Sequence, residues 1–265
     1  MNIITIIQAR IGSSRLPGKI LLPIAGKPLL VRMIERVRAS TLAGKIIVAT
    51  TIDPSDDPVY SLCISENISV FRGHPTNLLD RHFKTAAPYF PDLVVKIPSD
   101  CPLIDPAVID KVLRCFISNS DKFDYVSNLH PPSYPDGNDV EAVSMKALSE
   151  TWLNARRPME LEHTTPYIWE NPGKFRIGNV KWETGNDYSM THRFTIDYIE
   201  DYFFIKTIYD ELFPANPLFS LSDIICLLDS RPELLEINKK YIGVNWYRNH
   251  LNELKTITPE QTRII

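Results

Sequence analysis

The sequence predicts an α/β protein built on a doubly wound, mostly parallel sheet, and three observations carry that reading. Short β-rich runs recur through the first half at residues 3–8, 45–50, 68–71, 93–97 and 125–127. Amphipathic stretches of helical period separate them at about 29–39, 57–66, 77–87 and 106–118. The runs are apolar throughout, as expected of parallel strands covered by helices on both faces.

Taken in order, the first run, Met1-Asn2-Ile3-Ile4-Thr5-Ile6-Ile7, stops at Gln8 and Arg10, far short of a membrane span and without the basic start of a signal peptide. It is read as a buried first strand. The strand and helix alternation then continues to residue 127. From Pro131 it breaks into a segment rich in proline, glycine and asparagine (Pro131, Pro132, Pro135, Gly137), followed by helical patterns at 144–156 and 160–169 and a strand-like run at 174–180. This part, about 131–190, is expected to form an inserted lid or dimerisation arm. An apolar run then ends in Phe194-Thr195-Ile196-Asp197, helices follow at 199–212 and 221–228, and Pro232 opens another. With no internal repeat or linker, residues 1–265 read as one domain.

Composition narrows the class. The chain has 265 residues, 44% hydrophobic and 23% charged, which suits an ordinary soluble globular protein. A net charge of −3 provides no positive field for a nucleic-acid backbone. The four cysteines, Cys63, Cys101, Cys115 and Cys226, are scattered without a CxxC pair, so reduced thiols in a cytoplasmic protein are expected rather than a zinc site or disulfide framework.

In an open parallel sheet, ligands bind beyond the carboxyl ends of the strands. The residues there are polar or charged after nearly every strand, and the first such segment is the richest. Gln8-Ala9-Arg10-Ile11-Gly12-Ser13-Ser14-Arg15-Leu16-Pro17-Gly18-Lys19 holds three cations, two glycines and two hydroxyls. Glycines let backbone N–H groups approach phosphate oxygens, while Arg and Lys neutralise a triphosphate and its leaving pyrophosphate. The segment matches neither GxxxxGK[ST] nor GxGxxG, which weakens kinase and dinucleotide readings.

At this loop the chain resembles the cytidylyltransferases of the spore coat polysaccharide type, relatives of the CMP-sialate and CMP-Kdo synthetases. The resemblance extends through Ala25-Gly26-Lys27-Pro28-Leu29, Val48-Ala49-Thr50-Thr51, Phe71-Arg72-Gly73, Leu79-Asp80-Arg81 and Asp100-Cys101-Pro102-Leu103-Ile104-Asp105. It continues in Tyr134-Pro135-Asp136-Gly137, Asp139-Val140-Glu141, Glu162-His163-Thr164-Thr165-Pro166-Tyr167 and Thr195-Ile196-Asp197. It implies a Rossmann-like fold of the nucleotide-diphospho-sugar transferase type, CTP and a small anionic acceptor as substrates, Mg²⁺ as cofactor and a homodimer, with no membrane or nucleic-acid partner.

Asp100 and Asp197, at the ends of two apolar runs, match the family's metal positions. Without the resemblance an N-cap would be the commoner role for such an Asp. Ile199 stands where the family often has Pro in D-x-P-E-D, and Ser99 where Gly is frequent. Arg10, Arg15 and Lys19 are assigned to the β- and γ-phosphates, with Gln8, Ala9, Gly12 and Ser13 beside them. Thr50, Asp53, Arg72 and Gly73 are placed at the base and ribose. Asp80, Arg81, Asn128, Asp139, Glu141 and His163 are placed at the acceptor, His163 as an orienting or proton-handling group. An exposed ion pair is the alternative for Asp80 and Arg81, and a structural histidine for His163.

No Ser/His/Asp or Cys/His signature stands out, so direct in-line attack on the α-phosphorus is expected. Two competitors remain at this point: a nucleotidyltransferase using another NTP with a sugar phosphate, and a glycosyltransferase or sugar-nucleotide-binding protein on the same fold.

Overall fold

The computed structural model describes residues 1–264. Strand β1 (Ile3–Gln8) leads through the cationic loop and a two-residue hairpin, β2 (Pro23–Ile24) and β3 (Lys27–Pro28), into α1 (Leu29–Arg38). The alternation read from the sequence follows as β4 (Lys45–Thr51), α2 (Asp57–Ser65), β5 (Val70–Gly73), α3 (Leu78–Ala86), β6 (Leu93–Pro98), α4 (Pro106–Ile117) and β7 (Tyr125–Ser127). Next come β8 (Glu141–Ser144), α5 (Met145–Asn154), α6 (Pro158–His163), α7 (Pro166–Trp169) and β9 (Ile177–Asn179), then α8 (Ile199–Leu212) and α9 (Leu221–Ser230).

Local chemistry sets several helix starts. Asn77, Asp105 and Ser144 each accept a backbone N–H from the first turn of α3, α4 and α5, and Ser220 with Asp223 forms a capping box on α9. The single helical pattern expected at 160–169 is two short helices instead. Thr164 takes φ 72 between them, and Pro166 cannot continue α6.

The seven strands lie in the order β5-β4-β1-β6-β8-β7-β9. β1 pairs in parallel with β4 and β6, β4 with β5, and β7 with β9, so the sheet is mostly parallel as the sequence predicts. The exception is β8, antiparallel to both β6 and β7. It comes from segment 131–190, which thus contributes β8 and β9 to the main sheet and α5 to α7 to the layer over one face. The apolar run at 194–196 is not a ladder strand; Arg193 makes an isolated parallel bridge to Asp136.

Alternation along each strand divides the core into two layers. Ile7, Val48, Val95 and Ile97 face α1, α4, α8 and α9, whereas Ile4, Ile6, Ile47 and Val94 face α3, α5, α6, α7 and the C-terminal segment. The carboxyl ends of β1, β4, β5 and β6 open on one edge, beside the loops that follow β7 and precede α8.

Gly44 fixes the entry to β4. It adopts φ +62, and a Cβ there would lie 2.2 Å from the Ile3 carbonyl oxygen, a backbone atom that cannot move aside. Gly44→Ala is expected to lower unfolding free energy by about 1–3 kcal/mol, read as a reduced urea midpoint at unchanged slope; an unaltered midpoint would refute this role.

Candidate active site

The loop after β1 is tied down before it can bind anything. Ile11 N–H donates to Asp56 Oδ1 at 2.6 Å, Asp56 also accepts from the Thr51 hydroxyl, and Gly18 N–H returns to the Ile11 carbonyl at 3.0 Å. Gly18 sits at φ 71, which closes the turn and sends Lys19 inward. Among the described residues the backbone N–H groups of Gly12, Ser14 and Arg15 have no protein partner, leaving them available to an anion.

Lys19 is buried, and its ammonium joins three parts of the chain. It donates to Asp100 Oδ2 at 3.3 Å, to Asp197 Oδ1 at 2.9 Å and to the Ile196 carbonyl. Arg15 reaches Asp197 Oδ1 at 2.6 Å, and Arg193 reaches Asp197 Oδ2 at 3.1 Å. Burial opposes the Asp197 charge, but Lys19 and Arg15 outweigh it and hold the carboxyl near 2.

Asp136 and Asp139 join Asp100 and Asp197 on the same wall. Burial, with Asp100 beside it, raises Asp139 to about 6, and burial also raises Asp136 despite Arg193 at 3.1 Å. Gly137 makes this crossing possible: at φ +106 it lies where a Cβ would come within 2.5 Å of the Phe194 backbone.

The floor of the cleft is a second polar cluster. Lys96 on β6 and Glu141 on β8 occupy opposed positions of one register pair and form a buried ion pair. Glu141 also accepts from Tyr125 OH at 2.6 Å and from the Thr165 hydroxyl. A buried carboxylate with this many donors is a rigid support.

Gln8, Ala9, Arg10, Gly12, Ser13, Arg15, Lys19, Arg81, Asp100, Asp139, Glu141, His163 and Asp197 all line one cleft of about 540 Å³. The other sequence-predicted residues lie outside its walls. Thr50 is buried within β4, Asp53 caps the turn after it, and Arg72 donates to the Thr51 and Asp53 carbonyls and pairs with Asp57. Gly73 acts indirectly, since a Cβ there would crowd the Phe71 ring at 2.7 Å and the Arg81 side chain at 3.1 Å. Asp80 accepts from Trp152 Nε1 at 3.0 Å on α5, and Asn128 clamps residues 138–140 through two backbone bonds.

Sequence reasoning missed Asp56, Asp136, Arg193 and the segment from Val244 to His250, all of which position or line the site. Asp136 lies in a motif quoted for the resemblance. The segment at 244–250 has neither motif nor periodicity.

Residues 4–241 match the cytidylyltransferase family. The chain belongs to that family. It is 36% identical over 242 residues to the uncharacterised protein MJ1063 of Methanocaldococcus jannaschii, covering 90% of this chain and 95% of that one. It is 31% identical over 237 residues to the spore coat polysaccharide biosynthesis protein SpsF of Bacillus subtilis, covering 88% and 96%. A cytidylyltransferase structure from Leptospira borgpetersenii superposes with a TM-score of 0.84 at 33% identity, covering 89% of this chain and 97% of that one. This protein is therefore a CTP-dependent nucleotidyltransferase, and the cleft is its candidate active site.

Proton handling by His163, expected from its ordinary pKa, does not suit its surroundings. Burial, helped by Lys96 and His250, pushes the imidazole down to about 3, and the ring stacks on Trp246 at 3.8 Å. Because the folded value lies below the unfolded one, this stabilising contribution is present above about pH 6.5 and is lost as pH falls. Buried Asp139 acts in the opposite sense, losing its contribution as pH rises toward 6. Between about pH 4.5 and 6, His163→Gln is expected to reduce the slope of unfolding free energy against pH by about 1.4 kcal/mol per unit. Denaturant titrations across that range would show it; an unchanged slope would mean the imidazole is protonated in the fold.

Proposed function

We propose that this cytidylyltransferase moves the CMP group of CTP onto a small anionic acceptor, a sugar acid or related glycan precursor, and releases pyrophosphate. The observation that carries the reading is the Lys19 ammonium held between Asp100 and Asp197, with Arg15 and Arg10 on the same loop. A cationic, glycine-bearing loop facing aligned carboxylates is what triphosphate chemistry requires.

The reaction needs no covalent intermediate. The acceptor oxygen attacks the α-phosphorus, its hydroxyl proton passing to solvent, while the bond from that phosphorus to the α,β-bridging oxygen breaks and its electron pair leaves with pyrophosphate. Arg10, Arg15 and Lys19 neutralise the charge gathering on that leaving group, and the free N–H groups of Gly12 and Ser14 orient it. The acceptor lies toward Asp139, Glu141 and neutral His163. The name of SpsF supports a place in surface polysaccharide or glycan assembly.

The donor set suits Mg²⁺. Among the described residues no group of three or more His, Cys, Asp and Glu forms a metal cage, but Mg²⁺ needs only one or two carboxylates when substrate phosphates complete its shell. Asp100 and Asp197 would hold it, with Asp139, whose pKa is raised by burial and then by Asp100, on the same wall. The ion would supply Lewis-acid stabilisation of the phosphate oxygens.

With Mg²⁺ present, CTP is expected to raise the melting temperature more than UTP, GTP or ATP at equal concentration. Selectivity for another NTP would replace the base, and no response to any would sink the assignment. Asp100→Asn should lower pyrophosphate release by about 100-fold or more while the protein stays folded; retained turnover would remove Asp100 from the metal site.

A further inference from the structure

The match to the family ends at residue 241, yet residues 244–250 form a wall of the cleft. Val244, Asn245, Trp246, Tyr247, Arg248 and His250 all line it. This segment is built into the fold. Arg263 N–H donates to the Gly243 carbonyl at 2.7 Å and Asn245 Nδ2 to the Gln261 carbonyl at 2.8 Å, closing a loop. Glu170 accepts the N–H groups of Lys255 and Thr256 at 2.7 and 2.9 Å, and Tyr247 is buried against the sheet-side core. Arg193, which pairs with Asp197, donates to the Val244 carbonyl at 2.7 Å. The wall is thereby tied to the carboxylates of the reaction centre.

Two features, one on this wall and one shared by it with the residues facing it across the cleft, point to a ligand. The first is aromatic: Trp246 stacks on His163 at 3.8 Å with 14° between planes and touches Tyr247 at 4.6 Å, beside Trp169. An indole at the rim of a polar cleft offers a flat apolar face beside hydrogen-bonding groups. The second is charge without a counter-ion. Among the described residues Arg10, Arg81 and Arg248 make no ion pair; Arg248 has only the Tyr198 hydroxyl at 3.3 Å. Arg81 is 4% exposed, with its Nε unpartnered and one bond to the His74 carbonyl at 3.1 Å. A buried guanidinium in this condition is costly unless an anion arrives.

We propose that Trp246 and Arg248 are specificity-determining residues for the acceptor, supplied by a C-terminal segment beyond the shared family region. Trp246 receives the apolar face of a pyranose ring, and Arg248 pairs with the anionic group that the ring carries. The inference rests on the proposed cytidylyl transfer and adds which residues recognise the acceptor. It also narrows the acceptor to a cyclic sugar anion, since an open-chain acid has no face to stack.

The test uses the full chain with saturating CTP and Mg²⁺, and pyrophosphate release with 3-deoxy-D-manno-octulosonate, N-acetylneuraminate, glucuronate and glucose 1-phosphate as probes. At least one is expected to be turned over, the first three reporting a carboxylate and the last a phosphate. For that acceptor Trp246→Ala and Arg248→Ala should each raise KM about tenfold or more, with KM for CTP within about twofold of wild type. Trp246→Phe should restore most of the loss, which a merely structural role would not predict. Unchanged acceptor KM in both alanine variants would overturn the proposal. So would parallel rises in the two KM values, or a wild-type enzyme that binds CTP and uses none of the four probes. Failure of the wild type to bind CTP would instead defeat the underlying reading.

Discussion

Everything at this site depends on a buried ammonium with more than one carboxylate. Lys19 follows a left-handed glycine, is 8% exposed, and meets Asp100 and Asp197, which lie far from it in sequence. Desolvating a lysine is expensive, and only close partners keep it charged. Here burial would lower the Lys19 pKa, but the two aspartates reverse the sign and raise it. From Asp197 the alternation of charge runs on through Arg193 to Asp136 and Asp201, and Asp201 accepts the N–H groups of Asp197 and Tyr198 at the start of α8. The loop after β1, the turn after β6 and the entry to α8 are thus one electrostatic unit.

That unit explains what could be read from sequence. Continuous apolar strands and amphipathic helices specify layers, so the parallel half of the sheet was legible from 3–8 through 125–127. β8 was not, because four residues, Glu141-Ala142-Val143-Ser144, offer too short a pattern, and their first side chain is a buried charge. Only the facing Lys96 makes that position tolerable, and pairing across 45 residues leaves no local trace. The cationic loop was legible because its chemistry is concentrated in twelve consecutive residues. The arginine that completes it, Arg193, stands alone in an apolar run, and its meaning comes from three aspartates brought in by the fold.

The residues placed at the base and ribose show a different limit. Thr50, Asp53 and Arg72 stand where the sheet rule directs attention, in the last residues of β4, just after it and near the end of β5. Two of these side chains are nonetheless used locally, Asp53 capping its own turn and Arg72 binding two carbonyls of the β4 exit, while Thr50 is buried within β4. Position along a strand predicts which residues reach the edge of the sheet, whereas hydrogen-bond demand decides which of them face the ligand. The segment at 244–250 is the converse case, without motif or period, and it reaches the cleft because Tyr247 and Glu170 anchor it.

On the proposed reading, the ion pairs have a direct consequence for how nucleotide and metal bind together. The cations that would grip a triphosphate, Arg15 and Lys19, are engaged with Asp197, one of the carboxylates that would hold a divalent ion. Arg15 is the more accessible of the two, with 38% of its side chain exposed against 10% for Lys19. A phosphate competing for Arg15 and a cation competing for Asp197 each loosen the same contact, so either makes room for the other. Nucleotide and metal then favour each other's binding through this exchange of partners, without a change of fold. Lys19, too buried to leave, remains the fixed point around which the exchange takes place.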